Sequence, residues 1–224
     1  MRPPVHFFRL LLISGLWISA CTPRPKIFEA DVAKDDEVIA QFTATITPAP
    51  RPLAKAPKGK PWFTLKNVAY KPQRWDDGDS FHVTLEDGNE LILRLYFVDT
   101  PEEEKVYADR IRDQAAYFGI SEAEVMAVGH QASAFTKKVL SKPFTVQTRW
   151  HKALGRSNQP RWYSQIITAD GKDLAEELVR NGLARIYGTK TVLPDGRDSK
   201  TYIIALQALQ EEAKAAKGGG WGLK

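Results

Sequence analysis

The sequence predicts an α+β fold, a small closed or partly open barrel of five strands with about three helices. Three observations predict it. Short alternating apolar runs read as strands, an Asp-Gly dipeptide joins two of them, and three segments carry helical periodicity between capping residues. In chain order, "WFTLKNVAY" (62–70) alternates as a strand. "SFHVTLEDGNELILRLYFV" (80–98) reads as two strands joined across Asp87-Gly88, among the strongest hairpin signals. "SEAEVMAVGHQASAFTKKVLS" (121–141) reads as a helix, with Ser121 as N-cap and Glu124 three residues on, the capping-box spacing. "FTVQTRW" (144–150) and "RWYSQIIT" (161–168) are strands separated by the polar "HKALGRSNQP". "DLAEELVRNG" (173–182) is a helix that Asp173 can cap and Asn181-Gly182 can end. "SKTYIIALQALQEEAKAAKGGG" (199–220) is a long amphipathic helix running into glycines.

The N-terminal part has a different character. Arg2 and Arg9 precede an apolar run, Leu10 to Ala20, that is shorter than the ~20 residues a bilayer span needs and matches the hydrophobic region of an export signal. "ISAC" then puts small residues before Cys21, the only cysteine of the chain, in the manner of a bacterial lipobox. A lone cysteine cannot form an internal disulfide, so a lipid attachment point suits it better than a structural role. The expectation is a signal peptide over 1–20, lipidated Cys21, a Pro/Ala/Lys-rich tether over 21–60 ("TPAPRPLAKAPKGKP") and a folded domain over 61–224. A short strand near 37–46 is also expected. The protein would be exported and anchored to a bacterial membrane, the outer one on the ground that Thr22 is not aspartate, with simple secretion as the alternative.

Composition is that of a globular protein, 43% hydrophobic and 26% charged, with a formal charge of +5. Residues 1–60 hold nine of the 32 basic residues but five of the 27 acidic ones, so the folded part is almost neutral. Charge alone therefore does not make it a nucleic-acid binder. Nothing in the sequence implies a protein partner, and a monomer is expected.

The chemistry concentrates in "DDGDSFHVTLEDGNELILRLYFVDTPEEE" (76–104). The two ends of a hairpin lie together whatever its register, so the acids at either end converge. A two-residue turn at Asp87-Gly88 would set Phe81 opposite Arg94, Asp79 opposite Tyr96 and Asp76 opposite Asp99. Asp79 and Arg94 would then share a face, and a slip of one residue would separate them. Converging carboxylates need a shared proton, a bound cation or solvent screening. Hard oxygen donors favour Ca²⁺ or Mg²⁺, and no His/Cys set at ligand spacing exists. A carboxylate-held metal beside an arginine suits phosphate esters, while the bland alternative is a solvated acidic rim with an Arg–Asp pair.

The segments "DGDSFHV", "LRLYFVDTPE", "QASAFTKK" and "ADGKDLAEELVRNGLA" resemble those of staphylococcal nuclease-like (thermonuclease) domains, in the same order, over about residues 62–217. The resemblance implies a five-stranded oligonucleotide/oligosaccharide-binding barrel and Ca²⁺-dependent hydrolysis of DNA and/or RNA. It implies metal ligation by Asp79, Asp99 and the backbone carbonyl of Thr100, with Asp77 holding metal-bound water. Glu102 would position or deprotonate the attacking water, and Arg94 would contact the phosphate. For the second phosphate-binding arginine, Arg161 fits the spacing and Arg156 is the alternative. "VYADRIRDQAAYFG" (106–119) is expected to add a helix near the site mouth, where it could restrict access. The rival reading is a non-catalytic nucleic-acid or protein-binding module on the same fold.

Overall fold

The computed structural model describes residues 61–154 and 159–223. The expected signal peptide, Cys21, the tether, the strand near 37–46 and Arg156 lie outside the described residues. Strands β1 (Phe63–Tyr70), β2 (Ser80–Thr84), β3 (Glu90–Leu95), β5 (Phe144–Lys152) and β6 (Arg161–Ile167) close into a barrel in the order β1-β2-β3-β6-β5. All neighbours are antiparallel except β3 and β6. A two-stranded ribbon pairs β4 (Val98–Asp99) with β7 (Arg185–Ile186). The α-helices are α1 (Ala108–Phe118), α2 (Glu122–Val139), α3 (Leu174–Arg180) and α4 (Ser199–Ala215). The five expected barrel strands and three main helices are present, and α1 is the expected extra helix.

The caps follow the sequence. Ser121 accepts from the Glu124 amide while the Glu124 carboxylate accepts from the Ser121 amide, so two orphan donors of α2 are satisfied reciprocally. Asp173 accepts from the amides of Ala175 and Glu176, and α3 ends at Asn181 and the left-handed Gly182.

The hairpin register differs from the expected one. Gly88 N–H donates to the Leu85 carbonyl at 2.9 Å and Leu85 N–H to Asn89 O at 2.8 Å, which makes Glu86, Asp87 and Gly88 a three-residue loop. Gly88 takes φ 81°, the left-handed position such a loop requires. The extra loop residue moves the pairing by one, so Arg94 stands opposite Ser80 and Leu93 opposite Phe81.

Phe81, Val83, Leu93, Leu95, Val146 and Ile166 fill the barrel, and Val128 and Ala132 of α2 join the same core. Gly129 of α2 lets the helix touch the loop after β4 directly, since a Cβ there would lie 2.7 Å from Pro101 O and 2.8 Å from Glu102 O. A smaller cluster seats α1 through Ile111, Ala115 and Phe118 against Val125, Ala213 and Trp221.

Candidate active site

Asp79 ends the turn that feeds β2. Asp77 N–H donates to Ser80 O at 2.9 Å, and Asp79 N–H to Asp77 Oδ1 at 3.2 Å. Its carbonyl accepts from Leu95 N–H at 2.9 Å, so its backbone already lies against the end of β3. Arg94 Nη2 stands 2.9 Å from Asp79 Oδ2 and 2.8 Å from Asp99 Oδ1. The slip did not separate Arg94 from Asp79, because Asp79 precedes the regular strand and strict alternation of faces does not bind it. Asp76, expected opposite Asp99, turns instead to His82 and to the Gln73 amide.

After β3 the chain turns sharply at Phe97, a buried residue with φ 68°. A bulky residue in the left-handed region is uncommon and is held there by its surroundings. Phe97 N–H donates to Thr189 O, Phe97 O accepts from Tyr187 N–H, and the ring packs edge-on to Tyr202. This turn delivers Asp99 on β4 to the hairpin mouth. The Thr100 amide then donates to Asp79 Oδ2 at 3.3 Å, closing the two ends of the hairpin on each other.

Both oxygens of Asp99 are occupied. Oδ1 accepts from Arg94 and, at 2.7 Å, from Arg110 of α1. Oδ2 accepts from Arg185 Nε at 2.8 Å and Gln114 Nε2 at 3.0 Å. Arg110 also reaches Glu102 Oε1 at 2.6 Å, and the Glu102 amide donates to Gln114 Oε1 at 2.9 Å. Glu103, read from the sequence as a solvated loop acid, is tied to Ser133 and His130 of α2. Arg161 opens β6 opposite Ile92, with Nη1 3.4 Å from Ser80 Oγ and Nη2 3.1 Å from Leu154 O. Asp77, Arg94, Asp99, Glu102 and Arg161 line one cleft of about 890 Å³, and Asp79 lies beneath it.

The carboxyls divide electrostatically. Burial pushes the Asp79 carboxyl well above the usual carboxylate range; Arg94 offsets part of this, while Asp77 and Asp99 add to it. Asp77 is raised by burial with Arg94 opposing, and Glu102 is raised by burial with Arg110 opposing. Asp99 is the exception: burial pushes it up, but Arg110, Arg94 and Arg185 outweigh that and hold it below the ordinary range. Arg94 is desolvated too, yet the three aspartates around it raise its pKa and keep it charged.

Among the described residues, no group of three or more His, Cys, Asp and Glu side chains forms a ready metal cage. The expected set has two carboxylates and one carbonyl, and its donors are of the hard oxygen type that Ca²⁺ takes. Burial outweighs the nearby arginines at Asp77, Asp79 and Glu102, so added positive charge would stabilise their ionised forms, and Thr100 Oγ1 is buried with no hydrogen-bond partner among the described residues. A hard cation fits that chemistry, provided that Asp99 gives up a hydrogen bond to receive it.

Sequence reading missed Arg110, Gln114 and Arg185. Arg110 and Gln114 carry a detectable signal, since their i, i+4 spacing puts them on one face of α1. Arg185 carries none that we can identify, since its contact with Asp99 depends on the β4–β7 pairing.

The family model described as "Staphylococcal nuclease homologue" matches residues 92–222. That span runs from β3 past α4 and includes Arg94, Asp99, Glu102 and Arg161, while Asp77 and Asp79 lie just ahead of it. It covers more than half of the sequence, and the chain belongs to the staphylococcal nuclease homologue family.

Proposed function

We propose that the protein is a Ca²⁺-dependent phosphodiesterase that hydrolyses DNA and/or RNA outside the cytoplasm. The observation that carries this reading is the meeting of Asp79, Arg94, Asp99 and Glu102 at one end of the barrel, around a cleft of about 890 Å³. In this reading Asp79, Asp99 and the Thr100 carbonyl would hold the cation, and Asp77 would hold a water. When bound, Ca²⁺ would neutralise phosphate charge and polarise the phosphoryl oxygen. Glu102 positions or deprotonates the water that attacks phosphorus in line with the departing 5′-oxygen. Arg94 and Arg161 stabilise the charge that develops on the phosphoryl oxygens. Arg161 is preferred to Arg156 because it starts from a fixed barrel position and faces the cleft. Trp75 and Tyr187, both exposed on the cleft wall, offer stacking faces for unpaired bases.

We further propose the lipoprotein organisation expected from the sequence: removal of residues 1–20, lipidation of Cys21, a tether over 21–60 and a monomeric catalytic domain over 61–224. A change in mobility on blocking lipoprotein processing, lost in Cys21→Ser, is the expected result.

A second reading, the binding module, is favoured by one observation: every hydrogen-bonding position of the Asp99 carboxylate is taken by protein donors. One experiment separates the two. Full-length protein should degrade single-stranded DNA or RNA with Ca²⁺ and stop with a chelator. Binding without cleavage would establish the module instead, and cleavage that persists in chelator would refute the metal site.

A further inference from the structure

Helix α1 was expected to restrict entry to the cleft, and its contacts point to a different task. Its apolar residues Ile111, Ala115 and Phe118 are packed into a core cluster, so the helix is seated and not hinged. Its polar pair, Arg110 and Gln114, one turn apart, grips the loop that carries the chemistry. Arg110 Nη1 holds Glu102 Oε1 at 2.6 Å while Nη2 holds Asp99 Oδ1 at 2.7 Å. Gln114, fully buried, donates to Asp99 Oδ2 at 3.0 Å and to the Thr100 carbonyl at 3.1 Å, and its Oε1 accepts from the Glu102 amide at 2.9 Å. The Glu102 amide and the Thr100 carbonyl are therefore fixed by Gln114, and the Glu102 carboxylate by Arg110.

We propose that Arg110 is the positioning residue of Glu102: its two nitrogens span Glu102 and Asp99 and set the distance and direction between water-handling and cation-holding carboxylates. The proposal rests on the nuclease reading of the site. An ion pair whose arginine is 40% exposed contributes little to stability, so a stabilising role does not account for this geometry. A planar fork that joins two carboxylates through separate nitrogens fixes orientation in a way an ammonium cannot. Arg110 has a second, opposite effect. It occupies a lone pair of Asp99 Oδ1 and adds positive charge there, so it weakens cation uptake at Asp79 and Asp99 while it aligns Glu102.

These opposite signs supply the test. Full-length Arg110→Gln and Arg110→Lys are compared with the wild type by calorimetric Ca²⁺ titration without nucleic acid, by kcat and KM on single-stranded DNA, and by thermal melting. For Arg110→Gln, kcat falls about 100-fold with KM held within about threefold, because alignment is lost and ground-state binding is not. Its Ca²⁺ affinity rises about tenfold, because a cation beside Asp99 has been removed. Arg110→Lys keeps the charge and so a near-wild-type Ca²⁺ affinity, yet its kcat remains about tenfold or more below wild type. Should Arg110→Gln fail to fold, Arg110→Lys alone decides, and full activity in it overturns the proposal. Unchanged kcat in Arg110→Gln, or kcat and Ca²⁺ affinity falling together, also overturns it. A folded wild type without nuclease activity overturns the reading of the whole site, and this proposal with it.

Discussion

Asp99 and Asp173 are both almost sealed from solvent, 2% and 8% exposed, and the protein treats them in opposite ways. Three arginines and a glutamine surround Asp99, and its carboxyl is held low. Among the described residues, Asp173 receives only neutral donors: Gln165 Nε2, the Tyr202 hydroxyl and the amides at the start of α3. Burial raises its carboxyl, and these hydrogen bonds offset the rise only in part. A helix cap needs an acceptor and works with neutral partners. A site that handles phosphate and a cation needs charge that persists; here three arginines hold Asp99 low, whereas the neutral donors around Asp173 leave it raised. The clustering of arginine, more than burial itself, separates the proposed catalytic end of this barrel from the end that Asp173 caps.

Substitutions at the two ends should therefore fail in different ways. Arg94→Ala should give the largest effect. Activity falls about 1,000-fold through lost charge stabilisation at the phosphate, and unfolding titration shows a loss of about 3 kcal/mol because Asp79 is left buried without its cation. Asp173→Ala should reverse the pattern. Stability falls by about 2–3 kcal/mol through a lost cap and two stranded donors, while kcat per folded molecule is unchanged. Loss of kcat in that variant would show that the two ends are not independent.

Gly129→Ala tests the link between α2 and the site. Its Cβ would press on the Pro101 and Glu102 carbonyls, so the loop must shift. A drop of about tenfold in kcat is expected with a stability cost of about 1–2 kcal/mol. The smallest effect is a pH dependence. The native Asp173 pKa lies above that of the unfolded chain, so the native state binds the extra proton. Stability from this group is full below the unfolded pKa and is lost as pH rises through the native one. Asp173→Asn should remove that component, so its unfolding free energy should vary less with pH in the acid range. Its fold should survive, since the unpartnered Gln165 Oε1 can accept from the new amide.

The convergence of Asp79, Arg94 and Asp99 was legible because a hairpin brings its two ends together in any register. The register itself was not, because Asp-Gly serves two- and three-residue loops alike, and only the Leu85–Asn89 pairing shows which forms. Helix α1 could be read from its periodicity, whereas its direction could not. Which way Arg110 and Gln114 point depends on how Ile111, Ala115 and Phe118 pack against residues about 100 positions away. Arg185 reaches Asp99 across 86 residues of chain, through a ribbon of two-residue strands too short to leave a pattern.

Glu102 offers the most direct test of a catalytic site at this hairpin mouth. Glu102→Gln preserves the side chain's size and leaves Asp79, Arg94 and Asp99 in place, so it removes the charge proposed to handle water together with its ion pair to Arg110. Single-turnover cleavage of single-stranded DNA with saturating Ca²⁺ should slow by about 100-fold or more in this variant, with the melting temperature unchanged. A rate equal to that of the wild type would contradict the assignment of this hairpin mouth as the catalytic site.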